Sequence, residues 1–204
     1  MKKNTKNKEK GFTMIELLIV VALIAIIYST TLANYDGMNK KIDLKNAVYM
    51  VALTIREAQI YGINKKIVTD NPNNVVPFSD NDPYPYGTFL SKNNNLKNKI
   101  IIFRDLSSPI NFRFDPNGNE IEKAIKLNNG IHISRIIADN NNSWVDLDKV
   151  NIMFKRPNPD AIIKSGTQMY SRVQIEITNK NNKYKGCIDI GSAGDMSILN
   201  KCTH

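Results

Sequence analysis

Two hydrophobic patterns follow one another along the chain, and together they predict one long helix. No charged residue lies between Glu16 and Asp36, so about 20 residues starting at Phe12 can cross or nearly cross a bilayer as a helix. Apolar residues then recur every three or four positions, which places them on one helical face: Leu44, Val48, Val51, Ile55 and Ala58. We predict a helix over about residues 12–61, with Gly62 as the C′ glycine that ends it.

After this helix, short runs of β-branched and aromatic residues replace the helical period and predict strands. The runs occupy residues 66–69, 87–90, 100–103, 131–134, 151–154 and 173–178, and two more, about 184–190 and 195–199, flank a glycine-containing turn. Segments rich in Asn, Pro and Gly predict the connections, chiefly 70–86, 93–98 and 139–143. The predicted fold class is α+β, a long N-terminal helix packed on a C-terminal antiparallel β-sheet or β-sandwich head.

These patterns divide the chain into four segments. We predict a leader at residues 1–11, a transmembrane or filament-core helix at 12–36, an amphipathic continuation of the helix at 37–62 and a globular β-rich head at 63–204. The part beyond the leader and the apolar stem has the size of one ordinary domain. Gly37, at the start of the third segment, is a candidate flexible joint in the helix.

Glu16 is unusual because it places a carboxylate inside a helix of membrane length. An ionised side chain there costs on the order of 3 kcal/mol even on lenient insertion scales, so it needs a partner. If the chain is cut after Gly11, the new amine of Phe12 lies about one helical turn from Glu16. In a bundle of such helices, Glu16 of one subunit can pair with the amine of its neighbour.

The segment around this carboxylate reads Gly-Phe-Thr-Met-Ile-Glu at positions 11–16, followed by Leu-Leu-Ile-Val-Val. It resembles the prepilin processing signature of type IV pilins and type II secretion pseudopilins. The resemblance implies that a prepilin peptidase cuts between Gly11 and Phe12 and methylates the amine of Phe12. It implies assembly through Glu16 with other pilins on an inner-membrane assembly platform, and it implies no cofactor.

A secretory signal peptide and a plain signal anchor are the alternatives, because both combine a basic leader with an apolar run. A signal peptide needs a small-x-small cleavage site after the run, and residues 29–33 offer a poor one. A signal anchor leaves Glu16 unexplained. The leader's net charge of +4 favours a cytoplasmic N-terminus and a head outside, as in a single-pass protein of the cytoplasmic membrane that enters a periplasmic or extracellular filament.

The head resembles, by looser motifs, the minor pseudopilin H and its type IV pilus counterparts. The motifs are the helix end at 56–62, the turn at 115–122, residues 127–134 and the closing hairpin. This second resemblance implies a β-sandwich head on the helix and a low-abundance subunit that starts or tips a filament.

Cys187 and Cys202 are the only cysteines and form a candidate disulfide, with two free thiols as the alternative. An extracytoplasmic location would let a disulfide persist. Closing a loop of about 15 residues stabilises a fold by roughly 3 kcal/mol in the chain-entropy model.

Asp115, Asn117 and Asn119 alternate like the first ligands of a calcium loop. An EF-hand needs Gly at its sixth position and Glu at its twelfth, where this chain has Glu120 and Lys126. An Asx-rich turn is the simpler interpretation, so we predict no metal site.

No nucleophile motif accompanies the two histidines, His132 and His204, so we expect a protein that is not an enzyme. The net charge is +9, and +5 remains once the leader's +4 is removed. A candidate nucleic-acid patch combines basic residues with one stacking aromatic: Lys180, Lys183, Tyr184 and Lys185. Three hypotheses therefore remain: a structural filament subunit, a DNA-binding minor pilin of a DNA-uptake filament, and a membrane-anchored β domain that never assembles.

Overall fold

The computed structural model describes residues 11–63, 84–93, 95–141 and 143–203. The leader's first ten positions, the strand predicted at 66–69 and His204 lie outside these residues. The chain divides into two compact units, the first ending at Lys40 and the second beginning at Lys41.

Helix α1 covers Met14–Ile63, within two residues of the predicted bounds at each end. In the first unit every side chain from position 11 to position 31 is exposed. One stretch of α1, Met14–Thr31, is long and apolar enough to cross a membrane by length and composition. No break in the helix occurs at Gly37.

In the second unit, α1 buries the face that its hydrophobic period predicts. Val51, Ile55 and Ala58 are fully buried, and Leu44 and Val48 are nearly so. This prediction is confirmed, and the buried face fixes which side of the helix meets the sheets.

The predicted role of Gly62 is wrong. Gly62 lies inside the last turn of α1, which continues to Ile63, and it is not among the glycines with positive φ. A Cβ at this position would lie 2.5 Å from the carbonyl oxygen of Phe154. Glycine is therefore required here for the close approach of the helix to a strand, not for a left-handed cap.

Eleven strands in the described residues form two antiparallel sheets. The first sheet has the order β3-β2-β1-β6-β7-β8, and the second has the order β11-β10-β9-β4-β5. The strands are β1 Tyr86–Ser91, β2 Lys99–Arg104, β3 Ile121–Lys126, β4 His132–Asn140, β5 Ser143–Asp146, β6 Lys149–Phe154, β7 Ala161–Ser165, β8 Gln168–Tyr170, β9 Arg172–Thr178, β10 Lys185–Gly191 and β11 Met196–Leu199.

Seven of these strands coincide with predicted runs, namely β1, β2, β4, β6, β9, β10 and β11. Sequence patterns missed β3, β5, β7 and β8. The connection predicted at 139–143 is shorter than expected, because β4 extends to Asn140 and β5 begins at Ser143.

One buried cluster draws on the helix and on both sheets, which confirms the α+β class. Its members alternate with outward-facing residues along each strand, and they include Val51 and Ile55 of α1, Ile100 and Ile152 of the first sheet, and Ile175 and Ile188 of the second. The opposite face of the first sheet carries a smaller aromatic cluster around Phe103.

Candidate functional site

The N-terminus of α1 is closed by a reciprocal pair of contacts between Thr13 and Glu16. The backbone N–H and the hydroxyl of Thr13 each donate to Glu16 Oε2 at 3.2 Å, and the N–H of Glu16 donates to Thr13 Oγ1 at 3.3 Å. This is a capping box, in which Thr13 is the N-cap and Glu16 is the N3 residue. The sequence signal, Thr-x-x-Glu before an apolar run, was present and was missed.

Gly11 and Phe12 precede the helix and are exposed, Phe12 at 85%. A Cβ at Gly11 would meet nothing within 4 Å. The bond between these two residues is therefore accessible in non-helical backbone.

The hydroxyl groups near the end of the apolar stretch donate to carbonyls of their own helix. Ser29 Oγ donates to Ala25 O at 2.7 Å, and the hydroxyls of Thr30 and Thr31 donate to Ile27 O at 2.9 Å. Hydrogen bonds of this kind satisfy polar side chains without water. The hydroxyls of Ser29, Thr30 and Thr31 can thus enter lipid with their hydrogen bonds already made.

The candidate disulfide is present and joins Cys187 to Cys202, across a sequence separation of 15 residues. Cys187 lies in β10 and Cys202 follows β11, and both are buried. Trp144 and Leu199 pack against them. The bond ties the C-terminal tail to the outer face of the second sheet.

The candidate calcium loop is folded as an Asx turn. Asp115 Oδ1 accepts the N–H of Asn117 at 2.9 Å, and the carbonyl of Asp115 accepts the N–H of Gly118 at 3.1 Å. Asn119 has φ 55°, a conformation that Asn tolerates in turns. Within the described ranges, no group of three or more His, Cys, Asp or Glu side chains is arranged to hold a metal ion.

Two buried carboxylates organise the loop that contains this turn. Asp105 Oδ2 accepts the N–H of Phe112 at 2.6 Å, and Glu120 accepts the N–H groups of Leu106 at 3.1 Å and Asp115 at 2.8 Å. Burial raises the pKa of the Glu120 carboxyl above its usual range, and the two backbone N–H groups offset part of that shift.

Because its pKa is raised, we expect Glu120 to contribute more to the free energy of unfolding at low pH than at high pH, the reverse of a carboxylate whose pKa is lowered. Its stabilising contribution is fully present below its unfolded-state pKa and is lost as pH rises through the folded-state pKa. Relative to a Glu120→Gln variant, the wild-type free energy of unfolding should therefore increase as pH falls from about 7 to about 4. Denaturant unfolding of both proteins across this range measures the difference, and a flat or oppositely sloped difference would contradict the expectation.

The four residues of the candidate nucleic-acid patch line two depressions and not one. Lys183, Tyr184 and Lys185 line a groove of about 650 Å³ beside α1, whereas Lys180 lines a different depression of about 660 Å³. Lys183 Nζ lies 5.5 Å from the centroid of the Tyr184 ring. Lys185 Nζ lies 3.1 Å from Glu176 Oε1, so part of its charge is already balanced.

Comparison with known protein families gives a match at the N-terminus. The family model described as the prokaryotic N-terminal methylation motif matches residues 6–27. No curated protein and no solved structure matches the chain. The motif indicates a type IV pilin-like protein and implies processing by prepilin peptidase and assembly with other pilins. The apolar helix near the N-terminus fits a membrane-anchored protein.

Proposed function

We propose that this chain is a minor pilin or pseudopilin, a structural subunit of a type IV pilus or of a type II secretion-like filament rather than an enzyme. It matures by cleavage after Gly11 and methylation of Phe12. The methylation motif over residues 6–27 carries the proposal, because it overlaps an exposed helical stretch of membrane length, Met14–Thr31.

Exposure of the stem supports assembly. Large apolar side chains such as Leu18, Ile24 and Ile27 are 69%, 45% and 63% exposed, so lipid or other protein must cover them. In the bilayer, lipid provides the cover. When the subunit leaves the bilayer, stems of neighbouring subunits are the chemically matched replacement.

A second apolar surface continues beyond the membrane-length stretch. Ile42, Tyr49, Leu53 and Ile60 follow at intervals of seven, four and seven residues, which places them on one helical face. They are 48%, 47%, 68% and 49% exposed and lie opposite the face buried against the sheets. In a filament this stripe would pack on helices of adjacent subunits.

Glu16 would then serve both its own helix and a neighbouring subunit. Its capping contacts use Oε2, while Oε1 provides further acceptor capacity for the amine of a neighbour's Phe12. Pairing there would offset the cost of holding the carboxylate away from water.

The head is proposed to lie outside the cytoplasmic membrane, with the N-terminus inside and an inner-membrane platform driving assembly. The Cys187–Cys202 disulfide supports this orientation, because disulfides persist in oxidising compartments. Two antiparallel sheets against one helix are compatible with a β-sandwich head like that of minor pseudopilin H, and so with a low-abundance subunit.

The test is expression of the full chain in a cell that has an active prepilin peptidase and assembles pili. We expect intact-mass measurement to give a chain that begins at N-methylated Phe12. A chain that still begins at Met1 in such a cell would overturn the proposal and leave a membrane-anchored β domain that never assembles.

Three variants separate the charge of Glu16 from its capping role. Glu16→Gln removes the charge but keeps a side chain suited to the N3 position of a capping box. Thr13→Ala removes the N-cap, at about 1 kcal/mol, but keeps the charge. Glu16→Ala removes both.

We expect Glu16→Gln and Glu16→Ala to be processed normally yet lost from purified filaments, whereas Thr13→Ala is incorporated. Immunoblots of sheared filaments against whole cells measure the fraction incorporated. Wild-type incorporation of Glu16→Gln would show that the charge has no role in assembly.

A further inference from the structure

Strand β11 is an uncharged sheet edge. In the part of the chain that the structure describes, β11 pairs with β10 on one side and with no strand on the other. Its sequence is Met-Ser-Ile-Leu, whereas edge strand β3 of the first sheet carries Glu122, Lys123 and Lys126. Charged side chains protect an edge from pairing with other chains, and β11 lacks that protection.

The register identifies the backbone groups of β11 that face away from β10. Gly191 N–H donates to Asp195 O at 3.1 Å, so the backbone groups of Asp195 point toward β10. Along an antiparallel strand, residues whose N–H and C=O groups point toward the partner strand alternate with residues whose groups point away from it. Ser197, two residues after Asp195, therefore points its backbone groups toward β10. Met196 and Ile198 therefore direct their N–H and C=O groups outward, where an added strand would bind them.

The groove of about 650 Å³ runs between this edge and α1. Ile198 pairs with Ile188, which belongs to the buried cluster under the helix, so the Ile198 side chain lies on the same face of the sheet as α1. Leu44 and Val48 of the helix supply the rest of an apolar floor.

The groove is strongly basic. Five lysines line it: Lys41, Lys45, Lys183, Lys185 and Lys201. None of the described residues that line it is acidic, but the charge of Lys185 is already partly balanced by Glu176, whose Oε1 lies 3.1 Å from Lys185 Nζ. Two of these lysines come from α1, two from the start of β10 and the residues before it, and one from the segment after β11. Positive charge thus surrounds the open edge on several sides.

We propose that this groove binds an extended acidic peptide segment of a partner protein as an additional strand on β11. The peptide backbone hydrogen-bonds Met196 and Ile198, alternate side chains contact the floor formed by Leu44 and Val48, and carboxylates face the lysines. A nucleic acid could use the lysines and Tyr49 and Tyr184, but it has no backbone donors and acceptors that match a strand edge. The open edge therefore favours a peptide.

The experiment uses the full-length protein in lipid nanodiscs and a fluorescent synthetic peptide of about eight alternating Glu and Val residues, a typical strand length. Fluorescence anisotropy measures its affinity. The same peptide with alternate backbone nitrogens methylated keeps its charge but cannot pair with an edge on that side. We expect methylation to weaken binding about tenfold, the size of one or two lost hydrogen bonds.

Matched variants test the same contacts from the protein's side. Ile198→Pro removes an outward N–H without removing a bond to β10, and should weaken binding about tenfold, whereas Ile198→Val should bind as wild type. Lys45→Glu combined with Lys201→Glu should weaken binding about tenfold, whereas Lys155→Glu, outside the groove, should have little effect.

Several results would overturn the proposal. Equal affinity of the methylated and unmethylated peptides would show attraction by charge alone. Binding of a single-stranded oligonucleotide that depends on Lys45 and Lys201, with no binding of the peptide, would assign the groove to nucleic acid. The peptide comparison leaves the protein unchanged, so it remains decisive even if Ile198→Pro does not fold.

Discussion

Replacing Cys187 and Cys202 together with alanine is expected to lower the free energy of unfolding by about 3 kcal/mol. The bond closes a loop with a sequence separation of 15 residues, and the chain-entropy model assigns about this value to such a loop. The loss is large because total stability of a domain is only about 5–15 kcal/mol. Fluorescence of Trp144, the single tryptophan, reports the transition from beside the disulfide.

Reduction provides the control for this prediction. Wild-type protein unfolded in the presence of a reducing agent should resemble the double alanine variant, and the variant itself should not respond to the reducing agent. A loss below about 1 kcal/mol would mean that the tail is held by packing and that the covalent bond contributes little.

A second large effect is expected where α1 crosses β10. A Cβ on Gly186 would lie 2.6 Å from Val48 Cγ2, too close for two carbon atoms. Gly186→Ala should therefore destabilise the second unit by about 1–3 kcal/mol through overpacking. Val48→Ala alone should cost about 2 kcal/mol, because Val48 is buried.

The double variant Val48→Ala, Gly186→Ala tests whether the clash with Val48 causes the destabilisation by Gly186→Ala. Val48→Ala removes the atom that the new methyl group would strike, so the two costs should be non-additive, with a favourable coupling of about 1 kcal/mol or more. Denaturant unfolding of the wild type, both single variants and the double variant completes the cycle. Simple additivity would show that Gly186 is needed for its backbone conformation and not for helix packing.

Local patterns predicted the elements that are strongly apolar or strongly periodic. The buried face of α1 and interior strands such as β9 and β10 are continuous apolar or alternating runs, so their burial is visible in sequence. Strand β7, Ala161–Ser165, was missed although it lies inside the first sheet. Strand β3 was missed because its residues Ile121–Lys126 are mostly exposed at an edge and carry three charges. Strands β5 and β8 are short edge strands of the same kind.

Features that depend on contacts between distant segments could not be predicted from local sequence. Gly62 was interpreted as a helix cap because a glycine after a periodic segment normally ends a helix, but the carbonyl of Phe154 determines its role. Likewise, Lys41 and Lys45 join Lys183 and Lys185 around one groove only because α1 packs over β10. Sequence patterns singled out Lys183 and Lys185 but not Lys41 or Lys45, because nothing local shows that these lysines meet.

The N-terminal site, in contrast, depends on neighbouring residues of one short segment. The roles of Gly11, Phe12 and Glu16 were predicted from the resemblance of one short segment to the prepilin processing signature, and all three residues lie within the methylation motif at 6–27. The contact between Thr13 and Glu16 adds that the helix starts two residues after Phe12. A cut at the Gly11–Phe12 bond would therefore leave the first helical hydrogen bonds intact.

The disulfide also limits how the last hairpin can rearrange. Strand β11 is joined to β10 by a tight turn at one end and by the bond between Cys187 and Cys202 at the other. The hairpin is thus a covalently closed ring, and β11 cannot leave its sheet to exchange places with the same strand of a second subunit. Copies of this protein therefore cannot dimerise by exchanging β11, whatever other assembly they enter.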